Sequence, residues 1–72
     1  MKTFTVGPGG PDYVELEAII DRSSVREVIH AIGVICQEKS AHIAENWQDE
    51  RLAMVWDRAG DKVRDFAGKV PV

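Results

Sequence analysis

The chain is poor in the staples that small proteins lean on. Its 72 residues hold one cysteine, Cys36, so no disulfide can form within it. A lone thiol suits a reducing compartment, and a cytoplasmic location is the expectation. No basic-then-apolar leader opens the chain, which argues against secretion. The longest unbroken apolar run, residues 31–36, falls far short of the ~20 residues a membrane-spanning helix needs, so no membrane partner is expected. Neither sign of charge dominates: 9 basic and 12 acidic residues are interspersed, for a net charge of −3. That balance lacks the basic footprint of a general nucleic-acid binder. The glycine-rich stretch 7–10 lacks the Lys-Ser/Thr pair of a phosphate-cradling loop, and no long strand precedes it.

Apolar side chains are abundant, at 44% of the chain, which is too many for disorder. A chain this short makes one domain and buries only about 60% of its unfolded surface. Domains of this size usually recruit a disulfide, a metal or a partner chain. By elimination the expected partner is a second copy, giving a homodimer or homotetramer.

Residues 1–11 read as a Gly/Pro arm and residues 12–72 as a single helical domain. Positions 2–6 alternate like a short strand, and Gly7-Pro8-Gly9-Gly10-Pro11 breaks any regular element. Residues 12–21 fit two patterns. Val14, Leu16, Ala18 and Ile20 alternate, whereas Tyr13, Leu16, Ile19 and Ile20 keep helical spacing. Asp12 with Glu15 resembles a capping box, and the Glu, Leu and Ala content favours a short helix over a strand paired with residues 2–6. Ser24 with Glu27 is a fuller capping box and opens a long helix. Along it Val25, Ile29, Ile32, Cys36, Ser40, Ile43 and Trp47 form one stripe, widened early by Val28 and Ile35. Gly33 in mid-helix costs about 1 kcal/mol relative to alanine, and is either tolerated or permits a close helix crossing. The helix is expected to end near Asn46 or Trp47, with Asn46 or Asp49 capping the next. From Glu50 on, Leu52, Ala53, Val55, Trp56, Ala59, Val63, Phe66 and Ala67 fill one face, while Arg51, Asp57, Arg58, Asp61, Lys62 and Asp65 fill the other. Gly68 and Pro71 end it. The fold class is therefore all-α: an antiparallel helical hairpin plus a short N-terminal helix, self-associating into a helical bundle.

Chemistry concentrates between Cys36 and Asp49. Glu38, His42 and Glu45 share a helix surface and are the candidate metal ligands. A di-metal bundle needs Glu-x-x-His on two helices, and here there is one His-x-x-Glu. The plainer reading is a solvated helix side with a Glu38–His42 pair. Next to it, the flank of the apolar stripe turns polar at Lys39, His42 and Asn46. Half-buried polar groups need partners. With Trp47, Gln48, Asp49 and Arg51 they either lock the turn or line a pocket at a subunit interface. His42 is the candidate for proton transfer, oriented by Glu38 or Asp49. No Ser-His-Asp or Cys-His arrangement accompanies it, and Cys36 lies on the apolar stripe as a small core residue. Trp47 and Trp56 pack in the core or form an aromatic wall for a ligand or partner. A DNA-binding helix-turn-helix is disfavoured: the turn has no glycine, and Asp57, Asp61 and Asp65 dilute Arg51, Arg58, Lys62 and Arg64.

The spacing Cys36-x-Glu38-Lys39-x-x-His42-Ile43-x-x-Asn46-Trp47-Gln48-Asp49-x-x-Leu52-Ala53-x-x-Trp56 resembles a segment of short, uncharacterised bacterial helical proteins. The likeness covers roughly the second half of the chain, leaves out the Gly/Pro arm and is most specific at Asn-Trp-Gln-Asp. That family has no assigned activity. The resemblance implies a helical fold and a joint role for His42, Asn46, Trp47, Gln48 and Asp49, whether in binding or in holding the turn. The chain also looks like the orphan products of mobile gene cassettes. The function expected is that of a non-enzymatic interaction or accessory module that needs no cofactor. The alternative is a small-molecule- or metal-binding bundle with a His/Glu/Trp site near the bend, lined by Lys39, His42, Asn46, Trp47, Gln48, Asp49 and Trp56.

Overall fold

The computed structural model describes residues 6–72 and contains three helices: α1 Pro11–Arg22, α2 Val25–Asn46 and α3 Glu50–Ala67. There is no strand among the described residues. The expected strand over 2–6 lies outside them, apart from Val6, which is exposed and non-helical.

Each helix boundary has a local cause. α1 opens one residue earlier than its apolar pattern suggests, because Pro11 occupies the first helical turn, where its fixed φ suits the helix and its missing N–H costs nothing. Asp12 is therefore not the cap. Gly10 holds the cap position without a side-chain hydrogen bond, and Asp12 lies inside the first turn, where its charge favours the helix dipole. At the other end the Ser23 N–H donates to the Ile19 and Ile20 carbonyls. Ser24 caps α2 as expected, its Oγ accepting from the Glu27 N–H at 3.1 Å. α2 ends at Asn46, and the Trp47 N–H closes its last turn on the Ile43 carbonyl. Gln48 then takes a left-handed φ of 53°, turning the chain, and Asp49 Oδ1 accepts from the Leu52 N–H at 3.0 Å to cap α3. Gly68 does end α3, though with an ordinary right-handed φ of −64° rather than the left-handed stop usual for glycine. The tail beyond it returns to the start of α2. Arg26 donates through Nε to the Val70 carbonyl at 2.8 Å and through its backbone N–H to the Val72 carbonyl at 2.6 Å. The second bond satisfies one of the donors that every helix leaves unpaired at its N-terminus.

α2 and α3 form the antiparallel hairpin along a seam of small residues. Gly33 faces Gly60 so closely that a Cβ on Gly60 would lie 2.8 Å from the Gly33 carbonyl oxygen and 2.5 Å from Gln37 Cγ. A Cβ on Gly33 would strike Arg64 Cγ. The mid-helix glycine therefore permits a close crossing. One step along, Ser40 Oγ donates to the Ala53 carbonyl at 2.6 Å. Ala53, Gly60 and Ala67, spaced seven apart on α3, are all buried. Beside the seam Gln37 bridges, donating to Asp61 Oδ1 at 2.8 Å and accepting from Arg64 Nη1 at 2.6 Å.

α1 leans lightly on α2 and does not touch α3. The outcome is a plate: the Cα extents are 37 × 33 × 15 Å, and the radius of gyration is 14.0 Å where a compact chain of this length has about 11 Å. At 100° per residue, the apolar arcs of α2 and α3 fall on the same side of the seam. That side is largely uncovered: Ile35 is 51% exposed, Val55 59% and Phe66 58%. Only Ile43, Ala53 and Ala67 are buried apolar residues, and no large side chain is fully buried among the described residues.

Candidate functional site

The sequence-selected residues converge, in part, on one groove at the hairpin bend. It has a volume of about 350 Å³ and is lined by Lys39, His42, Ile43, Trp47, Leu52 and Trp56. The two helices build it together. Ile43 from α2 is buried beneath it, Leu52 comes from the first turn of α3, and Trp56 follows one turn on. Lys39 reaches across from α2, its Nζ 5.6 Å from the centre of the Trp56 ring, within range of a cation–π attraction.

Trp47 forms a wall and is no core residue: 68% of it is exposed. The helical projection places it on the apolar stripe, but it sits at the cap of α2, opposite a connection and not opposite α3. His42 is exposed, and its partner is Asn46 rather than Glu38. Asn46 Nδ2 lies 3.1 Å from His42 Nδ1 and donates to the His42 carbonyl at 3.0 Å. Lys39, His42 and Asn46 are all exposed, so the half-buried polar edge expected here is a wet rim. Gln48 and Asp49 lie outside the groove and shape the bend, Gln48 by its left-handed backbone and Asp49 by its cap. Of the seven candidates, four line the groove, Asn46 braces His42, and two hold the turn.

The metal alternative gains no geometry. Among the described residues no three His, Cys, Asp or Glu side chains are gathered to hold an ion, and Glu38, His42 and Glu45 stay spread along their helix surface. Cys36 is half-buried on the stripe.

Sequence reasoning missed a second hollow, at the opposite end and on the opposite side of the plate. It has a volume of about 290 Å³ and is lined by Arg26, Glu27, His30, Arg64, Ala67 and Gly68. Its two arginines are already engaged, Arg26 with the tail and Arg64 with Gln37. It also missed Ile43 and Leu52 as groove residues, because both count simply as stripe positions until the bend brings them together.

Fold and groove define a class: a helical hairpin closed by a glycine seam, with one open apolar face and a two-tryptophan groove at its bend. Comparison with known proteins adds no closer assignment, for no family profile, curated sequence or solved structure matches the chain significantly. The resemblance to short bacterial helical proteins thus rests on its motif alone. Among the described residues no helix is long and apolar enough to cross a membrane.

Proposed function

We propose that this protein is a self-associating, non-enzymatic interaction module whose working surface is the open face of the hairpin. One observation carries the reading: a single copy has a stable-looking seam but almost no core. Its accessible surface is 5868 Å², whereas a compact monomer of its 8.0 kDa exposes about 4,500 Å². Domains are built from at least two packed layers, and this chain supplies one. An apolar face left in water this way marks an association site. Sedimentation at micromolar concentration should give a dimer or tetramer, and Ile35→Lys or Val55→Lys should return it to monomer. A wild-type chain that stays monomeric and well folded across that range overturns the proposal.

A second reading is favoured by the groove itself. Two indole faces, an apolar floor and a single ammonium suit a small planar or apolar molecule carrying a carboxylate. Titration with indole-3-carboxylate, followed by tryptophan fluorescence, should saturate and lose that response in Lys39→Ala. An unsaturable response, or one unchanged in Lys39→Ala, removes this reading.

A further inference from the structure

The two long helices sort their charges by side. At 100° per residue, Lys39 on α2 and Arg51 and Lys62 on α3 project within about 90° of the centre of the open apolar face, and Arg58 lies just outside that arc. The seven carboxylates of α2 and α3 all project more than about 120° from that centre, Glu38 and Asp65 coming nearest. Arg26 and Arg64 are also on the far side, held by the Val70 carbonyl and by Gln37. The apolar face of a chain with net charge −3 therefore has a basic rim. Arg51, Arg58 and Lys62 are exposed and make no ion pair among the described residues, whereas Lys69, just past α3, is paired with Asp65 at 3.5 Å. Lys39 lies over Trp56.

α1 carries the opposite pattern. Its 12 residues hold four carboxylates and one base, Arg22. Tyr13, Leu16, Ile19 and Ile20 form its apolar stripe. Glu15 borders that stripe on one side, and Glu17 and Asp21, one turn apart, border it on the other. No residue of α1 is buried, and of the other helices it touches α2 alone. Glu15, Glu17 and Asp21 are exposed and make no ion pair among the described residues.

We infer that α1 of a second copy lies on this face, its apolar stripe on Ile32, Cys36 and Ala59 and its carboxylates along the basic rim. The inference rests on the self-association proposed above. Charge selects α1 as the occupant. A bare face stacked on a bare face brings no carboxylate to either rim. An anionic lipid surface attracts the rim but repels the carboxylates of α1 on the same molecule.

Helix handedness sets the direction of docking. Laid parallel to α3, the partner's α1 turns the partner's Glu17 and the partner's Asp21 toward α3, and the partner's Glu15 toward α2. Laid the other way, it turns the two-carboxylate edge toward α2, whose half of the rim holds only Lys39. One register then serves all three carboxylates. With the partner's Glu17 level with Arg58 and the partner's Asp21 level with Lys62, the partner's Glu15 is within a turn of Lys39, because Ser40 is level with Ala53 in the hairpin. The apolar side chains supply the attraction, and the charges supply the choice of helix and its direction.

The test exchanges charge between the two surfaces. Glu17→Lys/Asp21→Lys and Arg58→Glu/Lys62→Glu should each keep the wild-type helical signal in circular dichroism. Each should associate about tenfold or more weakly than wild type in sedimentation. An equimolar mixture of the two should recover wild-type affinity, because each α1 then meets a rim of opposite sign on the other chain. As a second readout, raising salt from about 0.05 M to about 0.5 M should weaken association of the wild type, whereas purely apolar association would tighten. Either variant associating as tightly as wild type, a mixture no tighter than its components, or tightening by salt overturns the docking of α1 and leaves self-association standing. A wild type that is monomeric, alone or on vesicles of anionic phospholipid, overturns both.

Discussion

The two sides of α2 that meet apolar surface are built on opposite principles. The seam toward α3 uses the smallest side chains available and brings backbone against backbone, so that a single added methyl group is too much. The broad face beside it uses Val, Ile and Phe side chains that stand half in water. The seam completes itself within one chain because its contacts are short-range, directional and satisfied, down to Ser40 on the Ala53 carbonyl. The face cannot, because large side chains need a second layer to bury them. Small residues therefore fix how the hairpin closes, and large ones leave it unfinished.

Substitutions can break or sharpen that contrast. The largest loss should come where the two surfaces overlap, at Ile43, the one large apolar side chain buried within a single copy among the described residues. Ile43→Ala should cost about 2–4 kcal/mol in urea unfolding. Next is the seam. Gly60→Ala should destabilise by about 1–3 kcal/mol despite the better helix propensity of alanine, since its methyl meets the Gly33 carbonyl. Gly68→Ala is the control. Its nearest neighbour would be the Asp65 carbonyl oxygen at 3.5 Å, and its thermal midpoint should move little. If the two behave alike, the seam is not as tight as described. Removing the cap with Asp49→Ala should cost about 1 kcal/mol, read by the same unfolding curves. Smallest of all, Trp47→Ala should cost under about 1 kcal/mol, because a ring 68% exposed leaves little cavity behind. A loss of 3 kcal/mol would return Trp47 to the core.

Much of this architecture was legible before the structure. Ser24 announces the start of α2, and Asp49, one of two candidates with Asn46, that of α3, because a short polar side chain before a helix has one main task there, accepting from an exposed N–H. The excess of apolar residues over what one hairpin can hide was equally readable, and it points to the same open face. Three things were not. Asp12 looks like the start of α1 because its carboxyl resembles a cap, whereas Pro11, one residue earlier, is itself compatible with the first turn. The seam was hidden because Ala53, Gly60 and Ala67 are too small to stand out in an apolar count, and only their seven-residue spacing marks them. Angle alone puts Trp47 on the stripe. A helical projection does not register that the opposing helix has not yet begun at that level. Of the seven candidate site residues, Lys39, His42, Trp47 and Trp56 line the groove, while Asn46, Gln48 and Asp49 support the bend and do not line it.

The pairing of one wet and one half-covered indole across the bend gives the molecule its own optical reporter. Trp47, facing water, should emit at long wavelength, and Trp56, beneath the Lys39 ammonium, in a less polar setting. Whatever settles into that corner should shift the emission of the first more than that of the second, because the first has more water to lose.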